Sequence, residues 1–173
     1  MIILFCTYIS AKRVFVRKME MTVAILGSNS FKMTRTSMRR LEKKITNLVV
    51  KHGAREFLFA INGAFDFACW AIVFKLKIRF SDIRRVYVRT KCADDEELKE
   101  IMQVYEDTFV PDEVRDAGML AEVVRNEIMV ERCDILLTYF RTKNLRSPRI
   151  ADYGETAAEY AQKLGKRVIN TYR

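Results

Sequence analysis

The sequence predicts a three-layer α/β domain, in which a parallel sheet of about five strands lies between helices on both faces. Short apolar runs alternate with longer amphipathic stretches along the chain, which is the pattern of parallel strands joined by crossover helices. Glycine-bearing turns follow the first two apolar runs. The chain has 173 residues, of which 50% are hydrophobic, and this is enough for a single well-buried core.

Five apolar runs are interpreted as strands because they are short and bounded by Gly, Pro or polar residues. They cover residues 22–26, 56–61, 84–89, 133–140 and 167–170. Right-handed crossovers then favour the order 3-2-1-4-5, the doubly wound arrangement with its switch point between the first and fourth strands. A ligand crevice is expected at the carboxyl ends of those two strands.

Apolar residues at helical spacing predict helices between these strands. The first helix ends at His52-Gly53, and His52 is interpreted as a helix-end surface residue rather than a catalytic one. The later helices are predicted through 67–76 and over 94–107, 117–130 and 154–164. The stretch 108–111, which contains a proline, is predicted to break the third helix.

Residues 1–20 are interpreted as an N-terminal extension of uncertain status, and residues 21–173 as one domain. The apolar stretch 1–9 is too short to span a bilayer. Its basic residues follow it, whereas those of a signal peptide come first. We expect a mobile extension, an upstream-start artefact or an extra edge strand, and no membrane association.

The four cysteines are scattered, and the chain has one histidine. They predict no metal site, and they are typical of reduced thiols in a cytoplasmic protein. The net charge of +9 is unevenly spread, with twelve Lys/Arg against two acids in 1–55 and fourteen acids against four bases in 94–134. The basic flank can attract phosphate-bearing partners, but a solvated basic surface explains it as well. Nucleic-acid binding is therefore permitted but not favoured.

The predicted topology brings polar, glycine-bearing turns to one edge of the sheet. Gly27-Ser28-Asn29-Ser30 follows the first strand, and Gly63 to Asp66 follows the second. Such turns suit a phosphate, although the first could be an ordinary helix N-cap. Asp66 either complements a helix N-terminus or accepts hydrogen bonds from a ribose or base. The third such turn contains Gly154 and belongs to the basic loop 141–156. This loop is the candidate for a mobile flap.

Three segments, in the right order over residues 22–170, resemble the SLOG superfamily. Residues 24–28 form a strand–glycine start, and RNEIMVERCDIL at 125–136 resembles the family's RN-x-x-MV-x-x-(S/C)D-x-L segment. GETAAEYA and GKRVIN within 154–170 resemble its GT…EYA…GK-x-(V/I)I ending, and Phe65-Asp66 fits its G-x-FD turn. The resemblance implies a Rossmann-like fold in an uncharacterised branch, related to lonely-guy and DNA-processing proteins.

Many SLOG proteins bind nucleotides, so the resemblance implies a nucleotide or nucleotide-derived ligand, with the protein acting as a sensor or regulator. A homo-oligomer is expected and no cofactor is implied. The ligand-binding residues that the resemblance and the turns implicate are Gly27, Ser28, Asn29, Gly63, Asp66, Arg125, Asn126, Gly154, Thr156 and Glu159. Arg125 can clamp a phosphate bidentately, but a helix-surface position remains an alternative for both Arg125 and Asn126.

Two other functions remain open. Lonely-guy-type phosphoribohydrolases cleave the N-glycosidic bond of nucleoside monophosphates and carry PGGxGTxxE, of which residues 155–159 echo only the end. Arg125 and Glu159 would then be the catalytic pair, with Glu159 as acid/base or stabiliser of the ribosyl cation. The DNA-processing branch implies single-stranded nucleic-acid binding, yet aromatics interleaved with basic residues are not evident.

Overall fold

A computed structural model describes residues 20–61, 63–141 and 153–172. The predicted N-terminal extension, apart from Glu20, and most of the predicted basic flap lie outside the described residues. Within these ranges the chain alternates between strands and helices. In chain order the elements are β1 Met21–Gly27, α1 Arg35–Lys51, β2 Ala54–Phe59, α2 Ala64–Lys77, β3 Arg84–Val88, α3 Asp95–Val104, β4 Asp107–Phe109, α4 Asp112–Arg115, a 3-10 turn Gly118–Leu120, α5 Ala121–Arg132, β5 Ile135–Tyr139, α6 Tyr153–Lys163 and β6 Arg167–Asn170.

The strands form one parallel sheet in the order β4-β3-β2-β1-β5-β6. This confirms the predicted α/β class and the relative order of the five predicted strands. The sheet has a sixth strand, β4, which begins at the predicted end of the third helix, runs into the stretch predicted only as a helix break, and pairs with the outer edge of β3. Three half-buried residues are too few to show a period-2 pattern, so β4 is a consequence of pairing rather than of local sequence.

Alternate residues of β1 belong to two apolar clusters on opposite faces of the sheet. Val23 and Ile25 pack in the cluster formed with α1 and α2, whereas Ala24 and Leu26 pack with α5 and α6. All four side chains are fully buried, so β1 is the central strand of a three-layer structure. Cys69 and Cys133 are buried, one in each cluster, as small apolar side chains.

The N-terminus of α1 lies away from the first glycine turn. Thr34 caps this helix in a capping box with Ser37, seven residues beyond Gly27. The turn Gly27–Ser30 is therefore not the N-cap of α1, and the helix-cap interpretation of this turn is wrong. His52 is the C-cap residue of α1, in the helix-end position expected for it.

Within the described ranges, none of the helices combines the length and apolar composition needed to cross a bilayer.

Candidate functional site: a crevice at the carboxyl edge of the sheet

The three glycine-bearing turns meet at one edge of the sheet. Gly154 lies in the first turn of α6, where an added Cβ would come 3.5 Å from the Cα of Gly27. A Cβ on Gly63 would collide with the side-chain oxygen of Asn29, which belongs to the turn after β1. The ends of β1 and β2 and the start of α6 therefore form one continuous rim.

Packing explains two of these glycines. A side chain at Gly27 would overlap the ring of Phe65, which is buried in the core. At Gly154 an added Cβ would lie 2.8 Å from Thr138 Oγ1 and 2.9 Å from the carbonyl oxygen of Tyr139. Because these neighbours are backbone and core atoms, α6 can approach the ends of β1 and β5 only with glycine at position 154.

The turn after β1 is closed by its own hydroxyl groups. Ser28 is buried, and its amide donates to the carbonyl of Tyr139 at 2.8 Å. The hydroxyl groups of Ser28 and Ser30 are 2.7 Å apart, and the Ser30 amide donates to Ser28 Oγ at 3.0 Å. Asn29 is exposed between them. The turn therefore holds its shape without a ligand and presents Asn29 at the rim.

Arg125 and Asn126 are buried, with 3% and 6% of their surface exposed, so the surface alternative is wrong for both. Arg125 Nη1 donates to the carbonyl of Ala60, one residue beyond β2, at 3.2 Å. Its Nε and Nη2 donate to Asn126 Oδ1 at 3.2 and 3.1 Å. Asn126 thus orients the guanidinium, which reaches from α5 to the carboxyl end of β2.

A second buried charge lies in the same part of the edge. Asp66 is 3% exposed in the first turn of α2, where a carboxylate complements the helix N-terminus. Burial lowers the pKa of Arg125, while the negative charges of Glu122 and Asp66 act in the opposite direction. Burying charged groups costs several kcal/mol per ion. Such groups in a cleft are candidates for function rather than for stability.

The connection from β2 to α2 has unusual backbone angles. Ile61 has φ 55°, the left-handed region that a β-branched residue rarely adopts. Gly63 has φ 132°, which is open essentially to glycine only. Ile61 is 53% exposed at this position. Strained backbone of this kind is found preferentially at binding and active sites.

The remaining predicted residues lie on α6, beyond Gly154. Thr156 and Glu159 are exposed. Thr156 borders a cavity of 150 Å³ between α5 and α6, which Asn126 also lines. The Arg125–Glu159 catalytic pair stays a prediction. In the described part of the chain no cluster of three or more His, Cys, Asp or Glu residues could hold a metal.

The sequence interpretation omitted two residues that shape this crevice. Thr138 is fully buried, and its hydroxyl donates to the carbonyl of Gly154 at 3.3 Å, tying β5 to the start of α6. Ile61 is the second residue, with its strained backbone at the edge of the crevice. A hydroxyl group within an apolar strand was the available signal for Thr138, whereas the sequence carries no signal for the φ of Ile61.

Among solved structures, the molybdenum cofactor carrier protein of Chlamydomonas reinhardtii has a similar fold, with a TM-score of 0.51 and 10% identity. The match covers 87% of this chain and 76% of that one. At this identity the likeness concerns the fold alone. No protein-family profile matches the chain, and no curated protein matches it. The Rossmann-like fold is thus confirmed, whereas the SLOG branch, the nucleotide ligand, the homo-oligomer and the cytoplasmic location stay predictions.

Proposed function

We propose that this protein binds a nucleotide or a nucleotide-derived small molecule at the rim formed by the three glycine turns, as a sensor or regulator. The observation that carries the proposal is the convergence of the α2 and α6 N-termini on the end of β1, next to a buried arginine. A helix N-terminus carries a positive partial charge, which favours a phosphate.

The charges around the rim support an anionic ligand with a polar, uncharged part. Arg125 lies on the α5 side and supplies a full positive charge. Asp66 lies at the start of α2 and supplies a hydrogen-bond acceptor. The negative charge of Asp66 would repel a phosphate, which would bind near Gly27 and Gly154 instead. A sugar hydroxyl or a base N–H could donate a hydrogen bond to Asp66. A structurally similar protein carries the molybdenum cofactor, which supports a small-molecule ligand of some kind.

Thermal unfolding in the presence of AMP, GMP or inorganic phosphate tests the proposal. A nucleotide at 100 times its Kd stabilises the native state by about 2.7 kcal/mol. For a domain of this size that corresponds to a rise in Tm of roughly 5–10 °C. Assaying the same mixtures for free base separates binding from N-glycosidic hydrolysis.

The matched variants are Arg125→Met and Arg132→Met, two arginines on α5. Arg132 is exposed and stacks on Phe109 of the edge strand β4, with its guanidinium 4.5 Å from the ring centroid. We expect the nucleotide-dependent rise in Tm to disappear in Arg125→Met and to persist in Arg132→Met. An undiminished rise in Arg125→Met would remove Arg125 from the site, and no rise with any of the probes would reject the proposal.

A further inference from the structure

An apolar groove opens between α2 and α3, directly beside the rim. Its volume is 320 Å³, near the lower end of the range for small-molecule sites. Phe67 and Trp70 line it from α2, and Val104 and Tyr105 line it from the end of α3. None of the residues of α3 is buried, so this helix does not close over α2 and the groove stays open.

One wall of the groove belongs to a row of aromatic rings along α2. Phe67 and Trp70 are nearly parallel, at 16° with centroids 6.4 Å apart, and Trp70 and Phe74 lie at 15° and 5.3 Å. Phe67 is 60% exposed and Phe74 is 47% exposed. Flat, parallel and accessible rings of this kind are suited to stacking against another planar ring.

The buried side chain of Arg85 packs against two rings of this row. The guanidinium of Arg85 lies 5.3 Å from the Trp70 ring centroid and 5.2 Å from that of Phe74. Glu106 holds it through two hydrogen bonds, at 3.0 Å from Nε and 2.6 Å from Nη2. The wall is therefore fixed in orientation before any ligand arrives, which lowers the entropic cost of binding.

The wall also retains buried donors that the fold does not satisfy. Trp70 Nε1 and Arg85 Nη1 are inaccessible to solvent and have no hydrogen-bond partner among the described residues. Leaving a buried donor without a partner destabilises the fold.

The groove and the phosphate rim share residues. Gly63, whose turn meets the end of β1, and Asp66 both line the groove, and the exposed, strained Ile61 also lines it. A ligand bound at the rim can therefore extend into the groove without leaving the site. The Asp66 carboxylate is placed to accept a hydrogen bond from the part that enters.

From this geometry we infer that the groove is the subsite for a planar heteroaromatic ring that carries an N–H or NH₂ donor. This inference rests on the proposed function, since the ring would be the base portion of the ligand whose phosphate occupies the rim. Phe67 stacks on the ring, Val104 covers its other side, and Asp66 accepts its hydrogen bond.

The single tryptophan of the chain makes the test specific, because Trp70 itself lines the groove. We would titrate the full chain with ribose 5-phosphate, with adenosine and guanosine, and with their 5′-monophosphates, following Trp70 emission and Tm. The nucleotide with the fitting base should quench Trp70 and bind at least about 10-fold more tightly than ribose 5-phosphate, given the known strength of base–aromatic stacking.

Phe67→Ala and Phe74→Ala are matched variants in one exposed row, of which only Phe67 lines the groove. Phe67→Ala should weaken nucleotide binding about 10-fold and leave ribose 5-phosphate binding unchanged. Phe74→Ala should change both affinities by less than about 2-fold. Because the two side chains are 60% and 47% exposed, neither variant leaves a large buried cavity, and both are expected to fold.

The outcomes separate the two proposals. If the nucleotide and ribose 5-phosphate bind with equal affinity and Trp70 emission is not quenched, the groove is not a subsite for the ring. The proposal of a phosphate site at the rim would still stand. If a nucleoside binds as tightly as its 5′-monophosphate, and Phe67→Ala weakens the binding of both, the result would support the groove and reject the phosphate rim. Failure of every probe would reject both. A dimer seen by sedimentation velocity and abolished by Phe67→Ala would assign the groove to a second copy and contradict the ligand role.

Discussion

The carboxyl edge of the sheet has two parts that differ in how they are built. At the ends of β1 and β5 the chain is closely packed, with Gly27 against the Phe65 ring and Gly154 against Thr138 and the Tyr139 carbonyl. At the end of β2 it is open and strained, with Ile61 and Gly63 at positive φ beside a cavity of 320 Å³. The same kind of residue, glycine, therefore serves two purposes within one site.

We therefore expect glycine substitutions in the packed part to change stability and those in the open part to change ligand binding. Glycine in the packed part lets α6 and α2 approach the strand ends, so its replacement should affect the fold. Glycine in the open part sets a backbone path that leaves the groove accessible, so its replacement should affect the ligand more than the fold. Variants at the two positions can break or sharpen this comparison.

Gly27→Ala should have the largest effect on stability. Its Cβ would overlap the buried Phe65 ring, and overpacking of this kind costs about 3 kcal/mol. Urea denaturation measures the loss. In a Phe65→Ala background, where the ring is absent, the added methyl group should cost much less. Equal costs in both backgrounds would mean that the close packing does not come from Phe65.

Glu106→Gln should have an intermediate effect on stability, because Glu106 holds Arg85 against the aromatic row beside the open part. Burial alone would raise the pKa of Glu106, but the hydrogen bonds and charge of Arg85 outweigh it and hold this pKa below the ordinary value. A depressed folded-state pKa stabilises the native state above the unfolded-state value, near 4.3, and this contribution is lost as the pH falls through the folded-state pKa. At neutral pH we expect a loss of about 2 kcal/mol.

The pH profile tests the cause of this loss. The stability difference between the wild type and Glu106→Gln should shrink as the pH falls from about 4 through the folded-state pKa of Glu106, below which both side chains are uncharged. Arg84 forms a comparable pair with Asp107, but both partners are about half exposed, so Asp107→Asn is the control and should change stability little. A pH-independent difference for Glu106→Gln would show that the charge of Glu106 is not the cause.

Gly63→Ala should have the smallest effect on stability and a clear effect on binding. Its φ of 132° is strained for alanine, at a cost of about 1–2 kcal/mol, and its Cβ would also displace the exposed Asn29 side chain. Gly118→Ala is the matched control, because its φ is 54° and nothing lies within 4 Å of the added methyl group. Both variants should lower Tm, but only Gly63→Ala should reduce the rise in Tm that a nucleotide produces. Equal ligand responses would place the binding site away from Gly63.

Much of the fold follows from local patterns in the sequence. The central strand β1 could be predicted because its apolar run ends abruptly at Gly27, and α1 because its apolar residues recur at helical spacing. The edge strand β4 could not, since three residues at a sheet edge acquire their structure by pairing with β3. The boundary of α3 shifted for the same reason, because the chain must leave the helix to reach β4.

The site was less accessible to prediction. The meeting of Gly27, Gly63 and Gly154 follows from strand order, which right-handed crossovers predict once the strands are recognised. The burial of Arg125 does not, because an arginine within a charged helix segment has the pattern of a surface residue until its bond to the Ala60 carbonyl is known. The groove depends on the gap between α2 and α3, which no local pattern encodes.

Chemical-shift mapping by ¹⁵N NMR tests the central claim most directly, because it reports on the three turns at once. Titration with the nucleotide that gives the largest rise in Tm should shift the amide signals of Gly27, Gly63 and Gly154 together, with one common Kd. The amides of Gly53 and Gly165, at the C-terminal ends of α1 and α6, should not move. Shifts confined to one turn, or centred on the arginine and lysine residues of α1, would contradict a shared phosphate-binding rim.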